Sequence, residues 1–346
     1  LERVRPTVSA VRTLQIRLAA AREGKVRILY QLADAGWRPA YRAMLDSDKG
    51  EVVLERMAQT AQRSGEDWSG VKLRLSTGQP RQRVSGPDPQ PWDVTLQAER
   101  RADAPVAAME AMPAPAPMMR SKAAAGSEPQ APLFDAAEVH GEFTTEYVIA
   151  NPLSIPADGR KVNVSLSRQD LPVKLQVQVS PRLEQAAYLM ARAELPEGVW
   201  PAGDMQLYRN GAYVGSRRWD ASRHKGLELA FGRDELVKVS ARSLTATNAS
   251  SGFIGQFAER QLADAYTVTN LHKRPVDLLV LEPSPVSRDE KIEVSTTFKP
   301  ALSHKDWEGR SGVAAWVQRL DAGASQTFSA EYRIRWPKDR TVVGLP

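Results

Sequence analysis

The chain has 346 residues, a formal net charge of +6 and no cysteine. This length favours two or three domains, and the lack of cysteine excludes disulfides, thiolate metal sites and a cysteine nucleophile. Because basic residues are scattered among acidic ones, the positive surplus does not indicate a nucleic-acid groove. The longest apolar run, VDLLVLEP, is far shorter than the roughly 20 residues that a membrane-spanning helix needs, so no transmembrane segment is predicted.

Near the N-terminus, apolar residues recur at spacings of three and four, at Val8, Val11, Leu14, Leu18 and Ala21. This stripe predicts a helix over residues 7–23. Pro6 is typical of a first helical turn, and Gly24 is typical of a residue that ends a helix. A helix of this length is marginal alone in water, so it is expected to continue upstream or to lean on the rest of the chain.

After Gly24 the apolar period changes from 3.6 to 2, as in VKLRLS (71–76), VKLQVQV (173–179) and TFSAEYRIRW (327–336). Such alternation is typical of strands with one face on a core and the other in water. Turn signals such as Asn210-Gly211 fall between the strands. The pattern predicts an all-β protein of two or three antiparallel β-sandwich domains, partly immunoglobulin-like. A short turn of helix at 181–191 is the one exception considered.

The domain boundaries follow from composition. Residues 102–132 are mostly Ala, Pro and Met without periodicity, which indicates a disordered or extended linker. Residues 25–101 offer few strands for a sandwich, so residues 133–180 are expected to complete it, with the linker as an insertion. A middle β region is predicted over 181–262, and the strand-rich residues 263–346 are predicted to form an immunoglobulin-like sandwich.

The stretch QRSGEDWSG places two adjacent carboxylates, Glu66 and Asp67, beside Trp68. A glycosidase site needs two carboxyls that face each other across a sugar, about 5.5 Å or about 6.5–9.5 Å apart. Neighbours in sequence rarely achieve this, because their side chains diverge. Gly65 and Gly70 permit the positive φ of tight turns. We therefore interpret the stretch as a corner between strands, with Trp68 capping the end of a sandwich.

Residues 215–226 are the strongest candidate for a binding surface. Basic side chains gather there around Trp219 and Asp220, at Arg217, Arg218, Arg223, His224 and Lys225. Arginine forks bind carboxylates or phosphates in pairs, and a tryptophan face stacks on sugars, so an anionic polysaccharide would fit. The alternative is a solvated connection whose charges protect a sheet edge from aggregation. The loop 303–312 has a similar composition and is a weaker candidate.

Other chemistry is not indicated. The sequence contains no Gly-x-Ser-x-Gly elbow and no phosphate-binding or dinucleotide-binding glycine loop. The four histidines lie far apart in sequence, without metal-ligand spacing. No catalytic residue, metal site or cofactor is therefore predicted.

Several motifs, in order, carry a family resemblance: GWRPAYRAML (36–45), SGEDWSGVKLRLSTGQP (64–80), FTTEYVIANPLSIPADGRKV (143–162) and TVTNLHKRPVDLLVLEPSPVS (267–287). They resemble the C-terminal domain, of unknown function, of the mucoidy inhibitor A family. The likeness covers nearly everything after Gly24 except the linker. It implies a secreted protein with a long coiled coil before this domain, so residues 1–24 would be the end of that coiled coil. It also implies a bacterial cell-envelope location, periplasmic or exported, and a link to exopolysaccharide, but no catalytic residues.

The function expected from these features is that of a non-enzymatic envelope protein that contacts proteins or anionic polysaccharides. Self-association through the upstream coiled coil is expected as well. The alternative is a hydrolase of envelope glycans or peptides, with a site assembled from separated loops. Nucleic-acid binding is not expected, because aromatic and basic residues are not interleaved on one motif.

Overall fold

The structure, a computed structural model, describes residues 15–17, 19, 22–78, 136–140, 144–223, 226–251 and 256–345. The linker predicted at 102–132 and most of the helix predicted over 7–23 lie outside them. The described part of that helix has no regular secondary structure and is exposed, so the predicted N-terminal helix is not present in the described chain.

Three large sheets form the body of the described chain. Sheet I consists, in spatial order, of β12 (Ala212–Trp219), β11 (Gly203–Arg209), β1 (Ala35–Asp46), β2 (Glu51–Gln62) and β8 (Val162–Pro172). Sheet II consists of β13 (Leu227–Arg233), β10 (Glu184–Ala193), β9 (Lys174–Ser180), β16 (Val276–Pro283) and β18 (Val313–Leu320). Sheet III consists of β14 (Val237–Ser251), β15 (Phe257–Asn270), β19 (Ser325–Pro337) and β17 (Glu293–Lys299).

Two small sheets and two short turns of 3-10 helix complete the described elements. One small sheet pairs β3 (Trp68–Val71) with β7 (Leu153–Ile155), and the other joins β4 (Arg74–Ser76), β6 (Thr145–Ile149) and β5 (Ala136–His140). The 3-10 turns span Ala221–Arg223 and Trp307–Gly309.

The all-β prediction is confirmed, but the expectation of purely antiparallel sheets is wrong. Strand β1 pairs with β11 in parallel, and β9 pairs with β16 in parallel. Single-strand periodicity carries no information about partner direction, which the connections decide. The turn of helix considered at 181–191 is instead largely strand β10.

Strands from both sides of the predicted linker pair with one another, β2 with β8 and β4 with β6. Strands β11 and β12, from later in the chain, complete the same large sheet. The division of the chain into domains stays a prediction.

Sheets I and III lie side by side over one face of sheet II. On β9, Leu175 packs against core I, the apolar cluster between sheets I and II. Two and four residues later, Val177 and Val179 belong to core II, the cluster between sheets II and III. Alternate residues of a strand share a face, so one face of sheet II supports both neighbours. A third cluster, core III, lies between the far end of sheet I and the small sheets and includes Ala58, Tyr147 and Val164.

Candidate functional site

A cleft of about 570 Å³ opens where the loops of sheets I and III meet above sheet II. Its floor is apolar, with Val173 just before β9, Leu175 and Val177 on β9, and Leu189 on β10. Above the floor stand the β1–β2 turn and the β11–β12 turn on one side. The connections after β13 and β15 stand on the other side. The cleft is therefore a product of the side-by-side arrangement of sheets I and III.

The rim of the cleft carries charges of both signs. It includes Lys49, Arg209, Arg233, Arg274, Asp48, Asp234, Glu235, Asp277 and His272. Some of these charges are already paired, since Lys49 lies 3.3 Å from Asp46 and Arg233 contacts Glu184. Because charges of both signs surround the apolar floor, the cleft has no strong electrostatic potential of one sign.

An aspartate–histidine pair is fixed in the wall of the cleft. The Nε2 atom of His272 lies 2.8 and 2.9 Å from the two carboxylate oxygens of Asp234, whose side chain is only 7% exposed. Oδ1 of Asp234 also accepts the backbone N–H of Leu236. Because a carboxylate only accepts hydrogen bonds, Nε2 of His272 is the donor in this pair. This arrangement holds an imidazole in one orientation, as a general base requires.

Asn270, at the end of β15, holds this histidine in place. Its side chain is fully buried, and Oδ1 accepts the backbone N–H of His272 at 3.0 Å. Its Nδ2 group donates to the carbonyls of Arg274, Leu320 and Asp321. One amide thus ties the β15–β16 connection to the end of β18.

Ser47 and Asn210 join the two turns of sheet I at the cleft. The Ser47 backbone N–H donates to Asn210 Oδ1, and Asn210 Nδ2 donates to Ser47 Oγ, each at 2.9 Å. Asn210 and Gly211 both have positive φ, 50° and 81°, as the Asn-Gly turn signal predicts. The hydroxyl of Ser47 is therefore held by the Asn210 amide. Ser47 has a structural role, because it orders the two turns.

The arginine-rich segment predicted from sequence lies at the other end of the β11–β12 hairpin. Arg217 and Arg218 are exposed on the edge strand β12, and Arg223 pairs with Asp220 at 3.2 Å. His224 and Lys225 lie outside the described residues. The structure does not bring the segment into the cleft, and its role as a binding surface stays a prediction.

The prediction that Trp219 stacks on a ligand is wrong, because its ring is not available for a ligand. It is 1% exposed in core I, with its ring 4.7 Å from that of Tyr41 and 5.8 Å from that of Trp200. The strand alternation of β12 turns Trp219 toward the core, opposite the neighbouring Arg218.

The corner predicted at Glu66 and Asp67 is confirmed. Gly65 and Gly70 have positive φ, 87° and 59°, and Trp68 packs half-buried against core III. Asp67 Oδ1 accepts the backbone N–H of Ala157 at 2.7 Å. Glu66 lies at the exposed surface, where it accepts the hydroxyl of Tyr30. The two acids bond different segments of the chain, at Ala157 and at Tyr30, and face no common site.

The weaker candidate loop, 303–312, covers the opposite face of sheet II. The ring of Trp307 packs against Leu279 and Leu281, 5.6 Å from the guanidinium of Arg192 and 5.1 Å from the His304 ring. Of the other histidines, His224 and the side chain of His140 are outside the described part. Within that part no three His, Asp or Glu residues converge as a metal site, and no helix is long and apolar enough to cross a bilayer.

The most deeply buried acid, Glu282 on β16, lies outside the cleft, between sheets II and III. Its Oε1 atom accepts the hydroxyls of Tyr332 and Tyr266, at 2.7 and 3.0 Å. Burial raises the pKa of the Glu282 carboxyl, partly offset by these bonds and by Arg182. Burial and the nearby carboxylate raise the pKa of both tyrosines. This cluster was not predicted from the sequence, where its signal is the glutamate inside the apolar run VDLLVLEP.

Fold and site together define an all-β protein of packed sheets with a loop-lined, apolar-floored cleft. The chain matches the family described as a domain of unknown function, DUF4139, over residues 26–338, and it belongs to that family. It is also similar to Protein F37C4.5 of Caenorhabditis elegans, with 24% identity over 341 residues that cover 91% of this chain. The chain spans 60% of the length of that relative. No solved structure matches the chain.

Proposed function

We propose that this chain is a non-enzymatic binding protein of the bacterial cell envelope, periplasmic or exported, whose cleft takes an apolar side chain of a partner protein. The observation that carries the proposal is the apolar floor formed by Val173, Leu175, Val177 and Leu189 below a rim of mixed charge. Protein interfaces combine an apolar anchor with a polar rim. An anionic polysaccharide would complement such a floor poorly.

The location and biological setting rest on the motif resemblance. DUF4139 is the domain found in mucoidy inhibitor A-like proteins, and we propose that this chain belongs to a protein of that type. Its upstream coiled coil would then bring copies together. We also propose that residues 263–346 form an immunoglobulin-like sandwich.

A photo-reactive residue placed in the cleft tests the binding role. Leu236 lines the cleft and is 48% exposed, and Leu244, 46% exposed on β14 and not part of the cleft lining, is a matched control. We expect a photo-reactive residue at 236 to cross-link one specific protein in envelope extracts, and one at 244 to give no such product. Equal labelling from both positions, or none from 236, would contradict the proposal.

A hydrolase is the second candidate, and the specific observation in its favour is the fixed pair of Asp234 and His272 in the cleft wall. A positioned general base contributes about 10²–10⁴ to a rate. If this candidate is correct, the protein cleaves an activated ester and His272→Asn lowers turnover by about that factor. The hydrolase candidate is rejected if the protein cleaves the ester no faster than buffer alone does, or if His272→Asn leaves turnover unchanged.

A further inference from the structure

We infer that the outer face of sheet III is a second binding surface and that it takes an anionic polysaccharide. This face is directed away from core II. Its inner side is apolar, since Tyr266, Val268, Phe328 and Ala330 are buried in core II. The intervening residues of the same strands must therefore be directed outward.

Hydroxyl groups lie on the two central strands, β15 and β19, at one end of this outer face. Thr267 and Thr327 are paired across β15 and β19, with their Oγ1 atoms 3.2 Å apart. In the next row, the hydroxyls of Thr269 and Ser325 are 2.7 Å apart. A hydroxyl has one donor and two acceptor positions, so each pair keeps bonding capacity toward solvent. The rows lie roughly 7 Å apart along the strands, and neighbouring strands about 4.8 Å apart.

Cations stand at both edges of the row beside these hydroxyl pairs. Arg242 on β14, Ala265, Ser329 and Lys299 on β17 are in register across the four strands. Three strand spacings place the backbones of Arg242 and Lys299 roughly 14 Å apart. Both side chains are exposed, and neither makes an ion pair within the described ranges.

One further basic side chain extends the cationic edge. Lys238, also outward on β14, makes only a 3.9 Å contact with Glu235. The acidic residues here are Glu331 on the neighbouring row and Glu235 beside Lys238, and the three cations outnumber these two acids. The field over the hydroxyl rows is therefore positive.

The chemistry of this face fits a hydrated polyanion better than a protein or a nucleic acid. A protein interface needs an apolar core, and the rows between Lys238 and Arg242 expose no large apolar side chain. Single-stranded nucleic acid is bound by stacking on aromatic rings, and these rows have none. Carboxylates of a polysaccharide would meet the edge cations, and its hydroxyls would meet the threonine and serine rows. The inference does not rest on the proposed role of the cleft.

Binding of the full chain to polygalacturonate, with neutral dextran as reference, tests the inference. We expect binding to polygalacturonate alone, weakening as salt rises. The variant Lys238→Ser, Arg242→Ser, Lys299→Ser should bind about tenfold more weakly. The variant Arg217→Ser, Arg218→Ser, Arg223→Ser removes the same number of charges from the segment predicted from sequence and tests that rival site, so it should weaken binding less than the sheet III variant does.

A second variant keeps the charge constant. Thr267→Val with Thr327→Val removes one hydroxyl pair at nearly unchanged volume, and it should weaken binding severalfold while circular dichroism and melting temperature show a folded protein. The inference is overturned if the wild type does not bind polygalacturonate, or if both triple variants weaken binding equally. It is also overturned if only the 217–223 variant weakens binding, or if duplex DNA binds more tightly than the polysaccharide.

Discussion

Arg182 donates from Nε to Oε1 of Glu282 over 2.8 Å, and its terminal nitrogen reaches Asp264 at 2.5 Å. One guanidinium thus joins a carboxylate of sheet II to a carboxylate of sheet III beside the apolar core II. The other oxygen of Glu282, Oε2, is buried and has no hydrogen-bond partner among the described residues. A buried carboxylate with one unsatisfied oxygen is costly when ionised, which agrees with the raised pKa of Glu282.

The raised pKa of Glu282 predicts a pH dependence of stability. The folded state holds this proton more tightly than the unfolded state, where the pKa is near its ordinary value of 4.5. Its contribution is therefore fully present below pH 4.5 and is lost as pH rises toward the folded pKa. We expect the unfolding free energy of wild type relative to Glu282→Gln to fall as pH rises through this window.

Chemical denaturation at a series of pH values from 4 to 8 provides the measurement for this prediction. Glu331→Gln, which removes an exposed carboxyl from β19, is the control for the loss of one negative charge. A constant difference between wild type and Glu282→Gln at every pH would show that folding does not raise the pKa of Glu282.

Trp219 is predicted to act through stability alone. Trp219→Ala removes a fully buried ring between Tyr41 and Trp200 and should lower the free energy of unfolding by about 3–5 kcal/mol. Arg218→Ser, next to it on the exposed edge of β12, should change that free energy by less than about 0.5 kcal/mol. Thermal melting of the two variants gives the comparison. Comparable losses in both would contradict the assignment of Trp219 to the core.

The strands were predictable from sequence because each carries its own two-residue period, as in residues 327–336 of β19. The partners of the strands were not, since nothing in β9 alone specifies a parallel neighbour in β16. The same limit explains Trp219: its strand neighbours are polar, and it is its pairing with Gly203 on β11 that places it over core I. The cleft is built from four connections that are distant in sequence, so no local sequence motif could predict it.

The corner at residues 64–70 predicts different roles for its two acids. Asp67 accepts a backbone N–H from Ala157 across the corner, so Asp67→Ala should lower the free energy of unfolding by about 0.5–1.5 kcal/mol. Glu66 has only an exposed contact with Tyr30, and Glu66→Ala should cost less than about 0.5 kcal/mol. Urea denaturation of both variants measures the difference. Any binding activity of the cleft should survive in both, and its loss in either would place a functional role at this corner.

Asn270 is predicted to control the geometry of the cleft wall. Asn270→Ala removes the acceptor of the His272 backbone N–H and the shared donor to three carbonyls. Loss of these buried bonds should lower the free energy of unfolding by about 1–3 kcal/mol, with faster amide hydrogen exchange in residues 271–276. The control is Asn248→Ala, which removes an exposed asparagine of β14 that bonds Arg260. Unchanged exchange in Asn270→Ala would show that His272 is held by Asp234 alone.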